Sequence, residues 1–196
     1  MGNRTRKLLT VGVIAAMTLS MAACTSGNDT SSSSGSSDKK ETKAGTGKIG
    51  VAMPTKDLQR WNQDGENMKK QLEDAGYEVD LQFASNDVAT QVSQVENMVS
   101  GGCDAIVIGS IDGESLGTPL KQAEEQGIPV ISYDRLIMNS SAVTYYATFD
   151  NYLVGQKQGE YIVDALDLDN TDGPYNLEIF TGDPGDNNVN FFYGGA

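Results

Sequence analysis

Six polar or aromatic side chains stand shortly after apolar segments of this 196-residue sequence. They are two arginines, two aspartates, one asparagine and the only tryptophan, namely Arg60, Trp61, Asp134, Arg135, Asp186 and Asn188. Carboxylates accept hydrogen bonds from hydroxyl groups, arginine and asparagine donate them, and bonds that involve a charge are the stronger kind. An aromatic face packs against the C–H side of a sugar ring. These residue types therefore indicate a site for a neutral, polyhydroxylated ligand.

Each of these positions also has a purely structural interpretation. Trp61 fits the apolar face of a helix, so the pattern supports a core role as well as a ligand role. The pair Asp134–Arg135 is compatible with a surface ion pair of little energetic consequence, and residues 186–188 with an N-cap of the last helix. Asp134 directly follows a buried strand, where open α/β sheets place their sites, and this favours the binding interpretation. Asp112, which precedes Gly113, is interpreted as a turn residue.

The elements that must position these side chains alternate between strand and helix. Short apolar segments begin near residues 48, 77, 104 and 128, with amphipathic segments between them. The Ser85–Asp87 cluster predicts the N-cap of the second helix, and Thr118–Pro119 predicts the start of the third. This order gives three consecutive βαβ crossovers, and therefore an α/β fold with a doubly wound parallel sheet. Beyond it we expect a helix over 151–166 capped by Asp150, a strand over 175–181 and a helix at the end.

The first 47 residues have a different character. A basic start, a short apolar run and small residues just before Cys24 are typical of a bacterial secretory signal over residues 1–23. The stretch resembles a lipobox, in which Cys24 becomes the lipidated first residue of the mature protein. The apolar run is shorter than the roughly 20 residues of a membrane span. Residues 24–47 contain no large apolar side chain, which predicts a flexible Ser-rich linker. We therefore expect an extracytoplasmic protein that is lipid-anchored to the cell membrane.

Composition excludes several function classes. The sequence has 14 basic and 27 acidic residues and a net charge of −13, which disfavours a nucleic-acid partner. It has no histidine, so Ser-His-Asp and Cys-His catalysis and His-ligated metals are excluded. Cys103, in an apolar context, is interpreted as a buried inert thiol.

Neither a metal nor a cofactor is predicted. The acids at 167, 169, 172 and 178 have nearly the spacing of a calcium loop. The glycine is displaced by one position, however, and an acidic turn is preferred. The glycines around 109–113 match no nucleotide-binding fingerprint.

Five stretches together resemble one known family. They are MPTKDLQRWNQDG (53–65), QVSQVENMVSGGCDAIVIGSIDG (91–113), QGIPVISYDRLI (126–137), YYATFDN (145–151) and the GDPGDNN loop (182–188). The sequence after Lys48 resembles the xylose-binding and multiple-monosaccharide-binding proteins of bacterial ABC sugar importers, which have the periplasmic-binding-protein type 1 fold. In that family two α/β lobes, joined by a three-stranded hinge, close over a monosaccharide.

The resemblance implies roles for all six candidate residues. Arg60 and Trp61 match ligand contacts after the first strand, and Asp134 and Arg135 match the pair that grips sugar hydroxyls. Asp186 and Asn188 match contacts from the second lobe. It also implies an N-terminal lobe over 48–149, with a first hinge crossing near 148–150, and only the incomplete start of a second lobe over 150–196. We therefore interpret the sequence as truncated.

The hypothesis that follows is a solute-binding lipoprotein, not an enzyme, which captures a monosaccharide of xylose, glucose or galactose type for an ABC permease. The alternative is a sugar-sensing subunit for a chemoreceptor or a sensor kinase. A sugar-processing enzyme is disfavoured, since no constellation of matched carboxyl groups for glycoside hydrolysis is readable.

Overall fold

A computed structural model describes residues 45–196. The predicted signal peptide, Cys24 and all but the last three residues of the predicted linker lie outside this range. Within the described residues, no helix is both long and apolar enough to cross a membrane.

The core of the fold is one sheet of five parallel strands. The strands are β1 (Lys48–Met53), β2 (Glu78–Phe83), β3 (Ala105–Ile108), β4 (Val130–Tyr133) and β5 (Val143–Ala147). Their order in the sheet is β2-β1-β3-β4-β5, so the chain reverses its direction of progress between β1 and β3. The carboxyl ends on either side of such a reversal form a crevice. The predicted doubly wound α/β sheet is confirmed. The short β5 at its edge was not predicted.

Helices cover both faces of this sheet. The covering helices are α1 (Gln59–Asp74), α2 (Val88–Ser100) and α3 (Gly117–Glu125). Helices α4 (Asn151–Leu166) and α5 (Asn188–Gly195) follow later in the chain and pack against each other. One apolar cluster joins Trp61 of α1 to Val51, Met53 and Val107 of the strands. A second, on the other face, gathers buried residues of α2 and α3 against β1, β3 and β4. Burial on both faces explains why the inner strands are continuously apolar.

Helix α1 follows the predicted apolar stripe. Trp61 and Gly65 are buried, and a Cβ at Gly65 would lie only 3.0–3.3 Å from side-chain atoms of Phe83, Leu81 and Met53. Glycine therefore lets this helix approach the sheet closely. The helix ends at Asp74 with Ala75 as its C-cap, and Gly76 directly after the cap has a φ of +98°, which is readily adopted only by glycine.

Two of the predicted helix N-caps are confirmed, and one predicted helix start is displaced. The Asp87 carboxylate accepts a hydrogen bond from the Thr90 N–H at 2.7 Å, which confirms the predicted N-cap of α2. Asp150 caps α4 in the same way, through the N–H of Leu153 at 2.8 Å. Helix α3, in contrast, begins at Gly117, earlier than predicted, with Leu116 as its N-cap.

The predicted strand over residues 175–181 is wrong. These residues form no strand, and most of their apolar side chains are exposed. A strand needs a neighbour that completes its backbone hydrogen bonds. Within residues 45–196 none lies beside this segment. Helices α4 and α5 flank it in sequence and pack against each other.

Candidate functional site

All six candidate residues line one cleft at the carboxyl edge of the sheet. The cleft has a volume of about 310 Å³ and is also lined by Leu58, Gln59, Phe149 and Phe192. Arg60 and Trp61 come from the first turn of α1, Asp134 and Arg135 from the end of β4, and Asp186 and Asn188 from the start of α5. The parallel sheet brings these separate segments to one edge.

Asp134 has an unusual backbone conformation for a residue with a side chain. Its φ is +63°, in the left-handed region that Asp tolerates better than most residues. Its carbonyl oxygen accepts hydrogen bonds from Tyr146 Oη at 3.1 Å, Thr148 Oγ1 at 3.0 Å and Asn188 Nδ2 at 3.2 Å. Its own N–H donates to the Ala147 carbonyl at 2.8 Å. The residue is thus held by donors from β5, from the segment after it and from α5.

A buried serine of β4 fixes the turn after Asp134 through two hydrogen bonds to its backbone. Ser132 is fully buried, and its hydroxyl donates to the Arg135 carbonyl at 2.6 Å. The same oxygen accepts the Ile137 N–H at 3.0 Å. Two backbone groups that the strand no longer pairs are therefore satisfied by one side chain, which fixes the direction in which Asp134 and Arg135 leave the sheet.

Arg60 lies between two carboxylates. Its Nη2 contacts Asp134 Oδ2, and its Nε lies 3.4 Å from Asp64 Oδ2. Burial lowers the pKa of the guanidinium, but the hydrogen bond and the charge of Asp134 outweigh it, so that the net shift of the pKa is upward. The Arg60 side chain is 53% exposed while that of Asp134 is 7% exposed. The arginine therefore closes over a carboxylate that faces the cleft.

Arg135 bridges three parts of the site. Its Nη1 donates to the Ser110 carbonyl at 3.0 Å, beyond the end of β3. Its Nε lies 2.9 Å from Asp186 Oδ2, as an ion pair. Among residues 45–196, this buried Nε–H has no acceptor in hydrogen-bond geometry. A buried donor without an acceptor is an unmet hydrogen-bonding group, which a bound water or ligand can satisfy.

Trp61 is only 3% exposed, and it packs with the core of the sheet. A Cβ at Gly109 would lie only 3.3 Å from its ring, so the indole packs closely against the residue that follows β3. The guanidinium carbons of Arg60 and Arg135 lie 4.5 and 5.3 Å from the ring centroid. The core role of Trp61 is therefore established, while its contact with a ligand stays a prediction.

The exposed aromatic surface of the cleft comes from residues that the sequence did not single out. Phe149 is 49% exposed, and its ring lies 6.4 Å from that of Phe192. Phe149 directly precedes the Asp150 cap of α4. Its positions within the predicted hinge crossing and within the YYATFDN stretch were the available signals.

Asp186 and Asn188 serve the start of α5 and the cleft at the same time. The Asp186 carboxylate accepts the Asn188 N–H at 3.0 Å through Oδ1 and faces Arg135 through Oδ2. Asn188 is 3% exposed and donates to both the carbonyl and the carboxylate of Asp134. The helix-start and binding interpretations are compatible here, since different atoms serve each. Asp112 accepts the Glu114 N–H at 2.7 Å, which confirms it as a turn residue.

Both arginines of the cleft are paired with carboxylates in the cleft or beside it. Two guanidinium groups face the carboxylates of Asp64, Asp134 and Asp186. Among the described residues, no group of three or more His, Cys, Asp or Glu side chains could hold a metal ion. The arrangement offers charged donors and acceptors beside apolar rings, which suits a neutral molecule with several hydroxyl groups.

Comparison with known proteins assigns the fold to a family. Residues 49–196 match the model of a periplasmic binding protein domain. The chain belongs to the periplasmic binding protein family. The predicted resemblance and the predicted fold class are thereby confirmed.

Two named members of the family are similar to this chain over the same region. The multiple sugar-binding periplasmic receptor ChvE of Rhizobium radiobacter is 54% identical over 153 residues, which cover 78% of this chain and 43% of that protein. The D-xylose-binding periplasmic protein of Escherichia coli is 38% identical over 148 residues, which cover 76% of this chain and 43% of that protein. Both relatives are extracytoplasmic by name.

A solved structure gives the same result. The solute-binding protein of an ABC transporter from Clostridium phytofermentans, with bound β-D-glucose, is 74% identical and superposes with a TM-score of 0.74. The match covers 76% of this chain and 46% of that one. The chain thus spans less than half the length of the periplasmic binding proteins that it matches here.

Proposed function

We propose that this chain forms the sugar-binding lobe of an extracytoplasmic solute-binding protein that captures a monosaccharide for an ABC importer. One observation carries the proposal. Side chains from three separate segments meet in a single cleft, and they supply paired carboxylates and guanidinium groups beside two phenylalanine rings, of which Phe149 is exposed. This combination suits a sugar, because sugar hydroxyls donate and accept while the C–H faces of the ring are apolar.

The similar proteins support the class of ligand. Their names and the glucose bound in the Clostridium phytofermentans structure concern glucose- and xylose-type sugars, so an aldose of this type is proposed here. The Asp134 carboxylate and the Arg135 Nε–H are the groups proposed to contact hydroxyls. Phe149 is proposed to contact the apolar side of the ring.

The organisation of the chain is proposed from its sequence. Residues 1–23 are a signal peptide, Cys24 carries the lipid, and residues 24–47 tether the protein to the membrane. Residues 48–149 form the first lobe and residues 150–196 begin the second. The test of the anchor is labelling with palmitate. The unsubstituted protein, called the parent below, is expected to incorporate the label, and the Cys24→Ser variant is expected to lose it. Labelling that persists in Cys24→Ser contradicts it.

The deciding experiment follows Trp61 fluorescence in the natural full-length protein while D-glucose, D-galactose and D-xylose are titrated. The two guanidinium groups near the indole rearrange when a sugar takes their hydrogen bonds, so a saturable change in emission is expected. Trp61→Phe is the control that assigns the signal, and calorimetry measures the affinity. If neither fluorescence nor calorimetry gives a saturable signal with any of the three sugars, the proposal is contradicted.

Sugar sensing is the second candidate function, and the description of the Rhizobium radiobacter relative as a receptor favours it. Deletion of the gene separates the two functions. Loss of labelled sugar uptake supports transport, whereas intact uptake with loss of a sugar-dependent response supports sensing.

A further inference from the structure

Arg60 is held by a second carboxylate, outside the six residues already described. Asp64 lies one turn further along α1, and its Oδ2 is 3.4 Å from Arg60 Nε. The Tyr133 hydroxyl donates to the same oxygen at 3.0 Å. Neither residue is among those that line the cleft. Asp64 therefore connects a residue of β4 to an arginine of the site.

This connection determines how the guanidinium is oriented. A long, half-exposed arginine side chain has many rotamers, and a single ion pair at helical spacing restricts them only weakly. Here Asp64 faces Nε while Asp134 contacts Nη2 of the same planar group. Two fixed points on a rigid plane define its direction, which one pair does not do.

Tyr133 supplies the rigidity that Asp64 lacks. It is the last residue of β4, and its ring meets the Trp61 ring edge-on, with centroids 6.5 Å apart at 70°. Burial raises the pKa of its phenol, and the hydrogen bond to Asp64 raises it further, so the group stays a donor at neutral pH. The hydrogen bond from Tyr133 thus fixes the position of the Asp64 carboxylate relative to the sheet.

We propose that Asp64 and Tyr133 are positioning residues, which hold the Arg60 guanidinium over Trp61 and against Asp134 in a geometry ready for sugar. The proposal rests on the proposed function for its sugar-binding part. Its positioning part concerns the unliganded protein and is independent of any sugar.

The test uses the natural full-length protein and its Asp64→Asn and Tyr133→Phe variants. The matched control is Asp74→Asn, since Asp74 pairs with Lys70 at the same helical spacing on the same helix, on an exposed surface. We expect Asp64→Asn to weaken D-glucose binding about 5- to 20-fold and Tyr133→Phe about 3- to 10-fold, the scale of one charge-assisted contact loosened. The control is expected to bind like the parent.

A second arm distinguishes positioning from a general loss of structure. In an Arg60→Ala background, Asp64→Asn is expected to cause no further loss of affinity, because its effect passes through Arg60. In the unliganded protein, Asp64→Asn is expected to shift Trp61 emission, and the shift is expected to vanish in the Arg60→Ala background.

The outcomes are separable. Parent-like affinity and emission in Asp64→Asn overturn the proposal, and so does an equal loss of affinity with and without Arg60. If the parent binds no sugar while the Arg60-dependent emission shift is present, the proposed function fails and the positioning of Arg60 stands.

Discussion

The Asp134→Asn variant tests the binding site with little disturbance of the fold. Asparagine is isosteric with aspartate and adopts the left-handed conformation at least as readily, so the φ of +63° is retained. The amide nitrogen has to face one of two donors, Arg60 Nη2 or Asn188 Nδ2. The half-exposed Arg60 can turn to water. The expected loss of unfolding free energy is therefore only about 0.5–1.5 kcal/mol.

The expected effect on sugar binding is larger. A hydrogen bond to a charged acceptor contributes about 1.5–3 kcal/mol and one between neutral groups about 0.5–1.5 kcal/mol. Removing the charge therefore costs about 1–1.5 kcal/mol for each sugar hydroxyl that Asp134 accepts, which weakens Kd about 5- to 12-fold. Two hydroxyls correspond to a weakening of about 30- to 140-fold.

The assay is calorimetric titration of the natural full-length protein with D-glucose and D-xylose, with urea unfolding in parallel. Asp74→Asn on the exposed surface of α1 is the matched carboxyl-to-amide control, with an affinity and stability close to those of the parent. A Kd for Asp134→Asn within twofold of the parent, at nearly unchanged stability, would refute the reasoning that this carboxylate binds the sugar.

Three further predictions concern the framework of the site; urea unfolding measures the change of stability in each, and calorimetric titration measures the change of sugar binding in Ser132→Ala. Gly65→Val forces side-chain atoms against the sheet and is expected to lower the unfolding free energy by about 1–3 kcal/mol. Gly117→Ala, whose Cβ meets nothing within 4 Å, is the tolerated counterpart, and equal losses in the two contradict the packing argument. Ser132→Ala leaves the Ile137 N–H without an acceptor, with an expected loss of about 1–3 kcal/mol and weaker sugar binding, and parent-like values for both would contradict the role of Ser132. Burial raises the pKa of the Tyr133 phenol, and Asp64 raises it further, so its contribution to stability is full below pH of about 10 and is lost as the pH rises through the folded pKa. Tyr133→Phe is therefore expected to show a smaller alkaline loss of stability than the parent, and an identical alkaline decline argues against this linkage.

Much of the fold was predictable, because the signals are local. The inner strands are buried on both faces and read as continuous apolar segments, while a cap such as Asp87 satisfies backbone donors within its own turn. Strand β5 and the segment over 175–181 show the limit of such signals. Pairing with a neighbour decides whether a residue run becomes a strand, and the neighbour is distant in sequence.

The candidate site was predictable as a set of residues but not as an arrangement. Chain position after a strand is enough to bring Asp134 and Arg60 to the same edge of a parallel sheet. Whether each of these residues serves the core, another site residue or the ligand depends on tertiary contacts, which the spacing of residues in the sequence does not reveal. Trp61 belongs to the core, and Asn188 donates to the Asp134 carbonyl.

The sequence by itself determined the alternation of strands and helices, the doubly wound α/β class, the family and six of the residues that line the cleft. The elements and the fold class depend on periodicity, local capping and the fixed geometry of βαβ crossovers. The family depends on the five stretches that resemble it, and the six residues on their chain positions after strands together with that resemblance. Only the tertiary structure decided that Tyr133 and Asp64 support Arg60, that three donors hold the Asp134 carbonyl, and that Phe149 is the more exposed ring of the cleft. The physical reason is that a hydrogen bond or a packed ring is specified to a fraction of an ångström between different segments of the chain, and the relative placement of those segments exists only once the sheet has assembled.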